Sequence, residues 1–235
     1  MENILKDYQD EMALKRKIRM QALAILKRSR IAGIPDSEMR IDRSQLKTVI
    51  DNEYHDGKKG LEINNLLDKI YNNANSLFDL QFIVIDGGDM FSRRKAGFAL
   101  LFRMIACDSN GKFCSCQDVS HKLQTINSIA DMNRNEIADE LKTHDVLFME
   151  EFRKEQLKIG FEVQWFMDEI LTDRSLKNKP TIFTFSNPVA GHGLSEENAL
   201  SSTSTYGQYM CMLSQLDMKP IPNALRIRVK GANDK

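Results

Sequence analysis

Neither sign of charge is in excess in this sequence: Lys and Arg together number 33, Asp and Glu number 33, and the formal net charge is zero. Without a global field, any role on nucleic acid has to rest on a local basic patch. Long apolar runs are missing too. No stretch approaches the roughly eighteen residues of a membrane span. The N-terminus is charged from Glu2 onward and has no apolar signal-peptide core. A cytoplasmic protein with no membrane partner is the expectation. Cysteines are few: Cys107, Cys114, Cys116 and Cys211. The C-x-C spacing of Cys114 and Cys116 is not that of a zinc ribbon, and His121 alone does not complete a ligand set, so reduced, ordinary cysteines are the plainer reading. What is present is an ordinary globular mix, 42% hydrophobic and 28% charged over 235 residues. That length supports one good-sized domain with an appendage, or two small domains.

Residues 3 to 30 read as one long helix. Ile4, Leu5, Tyr8, Met12, Leu14, Ile18, Leu23, Ile25 and Leu26 recur at helical spacing, uninterrupted by Gly or Pro. From Lys15 to Arg30 there are only bases (Lys15, Arg16, Lys17, Arg19, Lys27, Arg28 and Arg30) and no acid. Such a run is either a solvated face or a surface for a protein partner or a phosphate backbone. Gly33 and Pro35 end the helix. Residues 36 to 60 look irregular, with a short helix near Ser44 to Ile50 and a turn at His55-Asp56-Gly57. Leu61 to Leu77 has the pattern of an amphipathic helix.

The texture then changes. Gln81 to Asp86 is a short apolar run closed by Gly87 and Gly88, as expected of a buried parallel strand. A helix from about Arg94 to Ala106 follows. Further strands are expected at Lys112 to Cys116, Asp145 to Met149, Pro180 to Ser186 and Ala224 to Val229. Helices are expected at Ser120 to Ile126, Arg134 to Thr143, Phe161 to Thr172 and Tyr206 to Leu216. This alternation implies a parallel sheet with helices on both faces, and ligands on such sheets sit at the carboxyl ends of the strands. Three of those ends are polar: Gly87-Gly88, Glu150-Glu151 and Asn187.

The order and spacing of those ends resemble a P-loop ATPase. The wider resemblance is to the DnaC/DnaI-type helicase loaders and the IstB-type transposition ATPases of the AAA+ class, over roughly residues 29 to 231. It is carried by Arg30 to Pro35, by Phe82 to Ala106, by Asp118 to Leu123, by Ile137 to Leu141, by Asp145 to Phe152 and, most specifically, by ILTDRSLKNKPTIFTFSNP from Ile170 to Pro188. The resemblance implies an α/β fold: a parallel-sheet, AAA+-like P-loop core with helices on both faces, preceded by an N-terminal helix, with little or no C-terminal lid. It divides the chain into a basic N-terminal helix for partner docking, residues 1–34, and a core domain, residues 35–235.

The motifs are altered. A working phosphate loop, G-x-x-x-x-G-K-[ST], cradles phosphate with backbone N–H groups, reaches it with Lys and holds Mg²⁺ with a hydroxyl. Counting from Gly88 puts Arg94 in the Lys position and Lys95 in the hydroxyl position. Counting from the helix's apolar pattern puts Lys95 in the Lys position and Ala96 in the hydroxyl position, and is preferred. In both registers an Arg replaces the second glycine and no hydroxyl stands at the metal position. Asp89 adds negative charge inside the loop. The resemblance nominates Gly87, Gly88, Arg93, Arg94, Lys95 and Glu150 for nucleotide binding, Glu150 for the metal, and Glu151 and Asn187 for catalysis. Gln215 stands where the family carries its trans-acting arginine, and Gln supplies no charge to a developing phosphate. Both ATP or ADP with Mg²⁺ and no nucleotide at all therefore stay open, with hydrolysis weak or absent. Lys15, Arg16, Lys17, Arg19 and Arg174 are the candidate contacts to a partner or DNA. The implied function is that of a helicase loader in DNA replication, oligomeric, working with a replicative helicase or another AAA+ subunit and with DNA, from a bacterial cell, phage or mobile element. A transposition regulator that recruits a transposase, or a non-catalytic module that caps loader assembly, are the alternatives.

Overall fold

The computed structural model describes residues 2–55, 58–59, 63–126, 132–150, 169–184 and 224–230. At its centre are three short, fully buried apolar strands: β3 (Phe82–Gly87), β5 (Val146–Glu150) and β6 (Thr181–Thr184). Strands buried on both faces need continuous apolar sequence, and parallel pairing supplies it. With β4 (Gly111–Ser115) and β7 (Ala224–Val229) they form an all-parallel sheet in the order β7-β3-β6-β5-β4.

The chain runs from β3 past two positions to the edge strand β4 and then steps back through β5 and β6. Crossovers between parallel strands are right-handed, so reversing direction moves the connecting helices to the other face. Helix α4 (Met90–Ala106) covers one face together with α2 (Arg43–Val49) and α3 (Ile63–Asn72). Helices α5 (Cys116–Ile126), α6 (Met132–Thr143) and α7, residues 169–176, connect the strands of the return path. The direction reverses at the edge strand β4.

Gly97 lets α4 lie close on the sheet, because a Cβ there would stand 2.1 Å from the Phe148 ring. That approach seats Phe98 edge-on to Phe148 at 5.3 Å between centroids, with Phe113 at 4.8 Å from Phe98. Such aromatic contacts add about 0.5–1.5 kcal/mol each beyond the area they bury.

Helix α1 (Glu2–Ile31) is longer than its support. Among its described side chains, residues 10–24 are all exposed and packing begins at Ile25 and Leu26. Arg28 then ties the helix to α4, donating to the Ile105 carbonyl and pairing with Asp108 at 2.8 Å. After α1 the chain bends at Gly33 (φ 88°), and the Ala32 carbonyl accepts from the Phe113 N–H at 2.7 Å, closing the free edge of β4.

Two expectations change. The segment after α2 is not irregular: β1 (Ile50–His55) pairs antiparallel with β7, and the two-residue β2 (Lys58–Lys59) pairs with β1, giving a seven-stranded sheet. β1 is rich in polar residues and is held by its neighbour rather than by propensity. The helix expected over 61–77 is α3 followed by a separate 3-10 turn, Ala74–Asp79. The helix expected at Tyr206 to Leu216 lies outside the described residues.

At the amino ends of the strands sits Arg174, fully buried and without a carboxylate hydrogen-bond partner. Its guanidinium donates to the carbonyls of Leu141, His144, Asp145 and Pro180 and to Thr181 Oγ1. It caps the carboxyl end of α6, where the helix dipole is negative. Burial lowers its pKa to about 10, which still leaves it charged near neutrality. An arginine with no exposed surface offers no contact to DNA or a partner, so the expectation for Arg174 is corrected by its burial. Arg174→Met should remove five donors at once and cost about 3–5 kcal/mol in a urea unfolding series.

Candidate functional site

The carboxyl ends of β3 and β5 meet the start of α4, and most of the sequence-nominated residues come together there. Gly87 and Gly88 both have positive φ, 76° and 49°. A Cβ on Gly87 would stand 2.8 Å from the Val229 carbonyl oxygen, and one on Gly88 would stand 2.3 Å from that of Lys230. The glycines thus admit the end of β7 at close range, in a conformation that side chains resist.

The segment between strand and helix is short. β3 ends at Gly87 and α4 begins at Met90, so only Gly88 and Asp89 connect them. Asp89 is the N-cap: its carboxylate accepts from the Ser92 N–H at 2.9 Å and from the Ser92 hydroxyl at 3.0 Å. The backbone bond from Ser92 is the main reason the Asp89 pKa is lowered. The expected start at Arg94 is therefore four residues late. An Asp followed three residues later by Ser is the signal that fixes the true start, and it accounts for the acid that looked out of place in a phosphate loop.

Starting the helix at Met90 moves the basic residues into its second turn. Arg93 is buried, and its Nη1 donates back to the carbonyls of Gly87 at 2.7 Å and Gly88 at 2.8 Å. Arg94 forms a bidentate pair with Glu150, through Nε to one carboxylate oxygen and through Nη2 to the other at 2.6 Å. Glu150 is 3% exposed, so its charge is met by Arg94 rather than by water. Lys95 is half-buried and close enough to Asp42 to help lower that carboxylate's pKa, after the larger effect of the hydrogen bond from the Gln45 backbone. Glu151, Asn187 and Gln215 lie outside the described residues. Lys15, Arg16, Lys17 and Arg19 stand exposed on α1, far along the chain from this cluster.

No family model and no curated protein matches this chain. Solved structures do match it. DnaI superposes with a TM-score of 0.54 and 15% identity, covering 86% of this chain and 94% of that one. The DnaC helicase loader superposes with a TM-score of 0.50 and 14% identity, covering 74% of this chain and 93% of that one. The fold is AAA+-like, a parallel sheet covered by helices, as in DnaI and the DnaC helicase loader. At these identities the likeness is one of fold.

The P-loop resemblance in the sequence would place a nucleotide and Mg²⁺ between the loop after β3 and the acid at the end of β5. The described residues do not fit that group as they stand. The connection is only Gly88 and Asp89, and the Asp89 carboxylate already takes the Ser92 N–H at the helix start, where a phosphate would sit. Arg93 is turned onto carbonyls, and both oxygens of Glu150 are engaged by a cation where a metal would need them. The strand ends are joined by the protein's own charges.

That junction is testable. Arg94→Ala strands the buried Glu150 charge and should cost about 3 kcal/mol or more in urea unfolding, whereas Arg94→Met combined with Glu150→Leu should cost less than the single change. Acid is a second probe. A carboxylate whose pKa is lowered by folding stabilises above its unfolded pKa and stops doing so as pH falls through the folded value. Asp89 and Asp42 both behave this way. The melting temperature should therefore drop below about pH 4, and Asp89→Asn, which keeps an N-cap acceptor, should flatten part of that drop.

Proposed function

We propose that this protein is a helicase-loader-like DNA replication protein that assembles with a replicative helicase, with DNA or with both, and does so without turning over ATP. The observation that carries the reading is the combination of an AAA+ core, whose nucleotide position is bridged internally by Arg94 and Glu150, with a long, exposed, basic N-terminal helix. A DnaC helicase loader and DnaI share the fold, and the role is carried over from them as a proposal. In this reading the core positions α1, and the exposed Lys15, Arg16, Lys17 and Arg19 meet an acidic protein surface or phosphates.

The test is complex formation with a purified hexameric replicative helicase in the absence of nucleotide, followed by size-exclusion chromatography. A stable complex that is lost when residues 1–24 are deleted is the expected result, together with no heat of binding for ATP, ADP or Mg²⁺. Micromolar ATP binding that disappears in Lys95→Ala would overturn the nucleotide-free reading. Salt-sensitive filaments on duplex DNA, with no helicase complex, would instead identify a transposition regulator.

A further inference from the structure

Helix α1 meets the core over one short stretch. Leu26 packs against the core, Ser29 is fully buried, and Arg28 reaches the end of α4. The polar groups of this joint are incompletely satisfied. Among the described residues, the Ser29 hydroxyl and the Arg28 Nε are both buried without a hydrogen-bond partner. A buried polar group left unpaired has given up its hydration for nothing, and it recovers that hydration whenever the joint opens. The Arg28 bond to the Ile105 carbonyl is long, 3.4 Å, and offsets little of this.

The other half of the clasp is Asp108. Its backbone is left-handed, φ 70°, a conformation that glycine adopts at less cost. It directly follows Cys107, the C-cap of α4, so its carboxylate stands at the negative end of that helix's dipole. The Asp108 side chain is 90% exposed, so its pair with Arg28 forms largely in water. Such pairs contribute little and are screened by salt.

The chain just past the joint is held better. Ala32 and Ile34 are buried, and the Ala32 carbonyl accepts from the Phe113 N–H of β4 at 2.7 Å. One backbone bond spans the joint, from the Ile34 N–H to the Ser29 carbonyl at 3.0 Å. Gly33, with φ 88°, lies between the two anchored residues.

We propose that α1 is an articulated arm. Arg28 and Ser29 leave α4 together, the Ile34 bond to Ser29 breaks, and the helix swings about Gly33 while Ala32 stays on β4. Opening wets the two unsatisfied groups and uncovers little apolar surface, so it proceeds while the sheet stays folded. The joint sets the direction in which α1 points and leaves its exposed surface unchanged. Opening involves no partner, so it stands apart from the helicase-loader reading and is tested on the free chain.

Amide hydrogen exchange of the full chain, resolved residue by residue by NMR, is the test. The Ile34 N–H reports the joint, the Phe113 N–H the pivot, and the amides of β3 global unfolding. Ile34 should be far less protected than Phe113 or β3. Ser29→Ala should raise Ile34 protection about tenfold. Ser29→Cys also removes the hydroxyl, and because cysteine is no better a helix former than serine, it should raise protection too. Asp108→Gly should lower Ile34 protection about threefold and abolish its dependence on salt. The melting temperature of that variant should hold or rise, because glycine suits the turn. Ile34 protected as strongly as β3 in the wild type would overturn the proposal. So would a gain from alanine but not from cysteine, which would trace the effect to helix propensity, or an Asp108→Gly variant whose Ile34 protection is unchanged.

Discussion

Where parallel strands end side by side, polar backbone and any acid at their tips must find positive partners. Here Arg94 meets both oxygens of Glu150, while Arg93 meets the carbonyls of Gly87 and Gly88. These contacts tie α4 to β3 and β5 at once. They hold the helix in the register that puts Gly97 against Phe148 and Phe98 against Phe113. Broken on one side only, such a pair leaves a buried charge behind, and that outcome costs far more than the intact pair contributes. The core packing over the sheet therefore depends on charges at its rim.

The opposite end of the sheet uses the same chemistry differently. Among the described residues Arg174 hydrogen-bonds no acid and relies on carbonyls from α6 and the strand entries. Lys179 adds two more bonds, to the carbonyls of Lys142 and Thr143. Helix ends that point their carbonyls inward need cations, and arginine's planar fork serves several acceptors in one plane. A basic residue in the sequence can thus be a structural centre at one end of the strands and half of an ion pair at the other. Nothing in its letter distinguishes the two roles.

That ambiguity marks what could be read in advance. The central strands β3, β5 and β6 were legible because each is a compact apolar run, and α1 because it is long and free of Gly and Pro, whereas β4 was poorly marked and the ends of α3 and α4 were misplaced. β1 was not, since Asp51, Asn52, Glu53 and His55 have no strand pattern and depend on β7 for pairing; the Asp56-Gly57 dipeptide was the available hint of a hairpin. At the site, the residue types and their neighbourhood were readable: Gly87, Gly88, Arg93, Arg94 and Glu150 do converge. Their mutual engagement was not, because it turns on where α4 begins, and one N-cap at Asp89 decides that. Arg174 looked like a surface residue because burial of an unpaired charge is uncommon.

One backbone bond has consequences for how this protein meets others. The Ala32 carbonyl occupies the Phe113 N–H on the outer side of β4, and the far side of the sheet is finished by a strand only two residues long, both lysine. Open strand edges invite another chain to add itself to the sheet, and short, charged or covered edges prevent this. With both borders blunted, association by strand addition is discouraged. A partner would then have to meet a side-chain surface, which can be gained and released without unpicking a hydrogen-bond ladder.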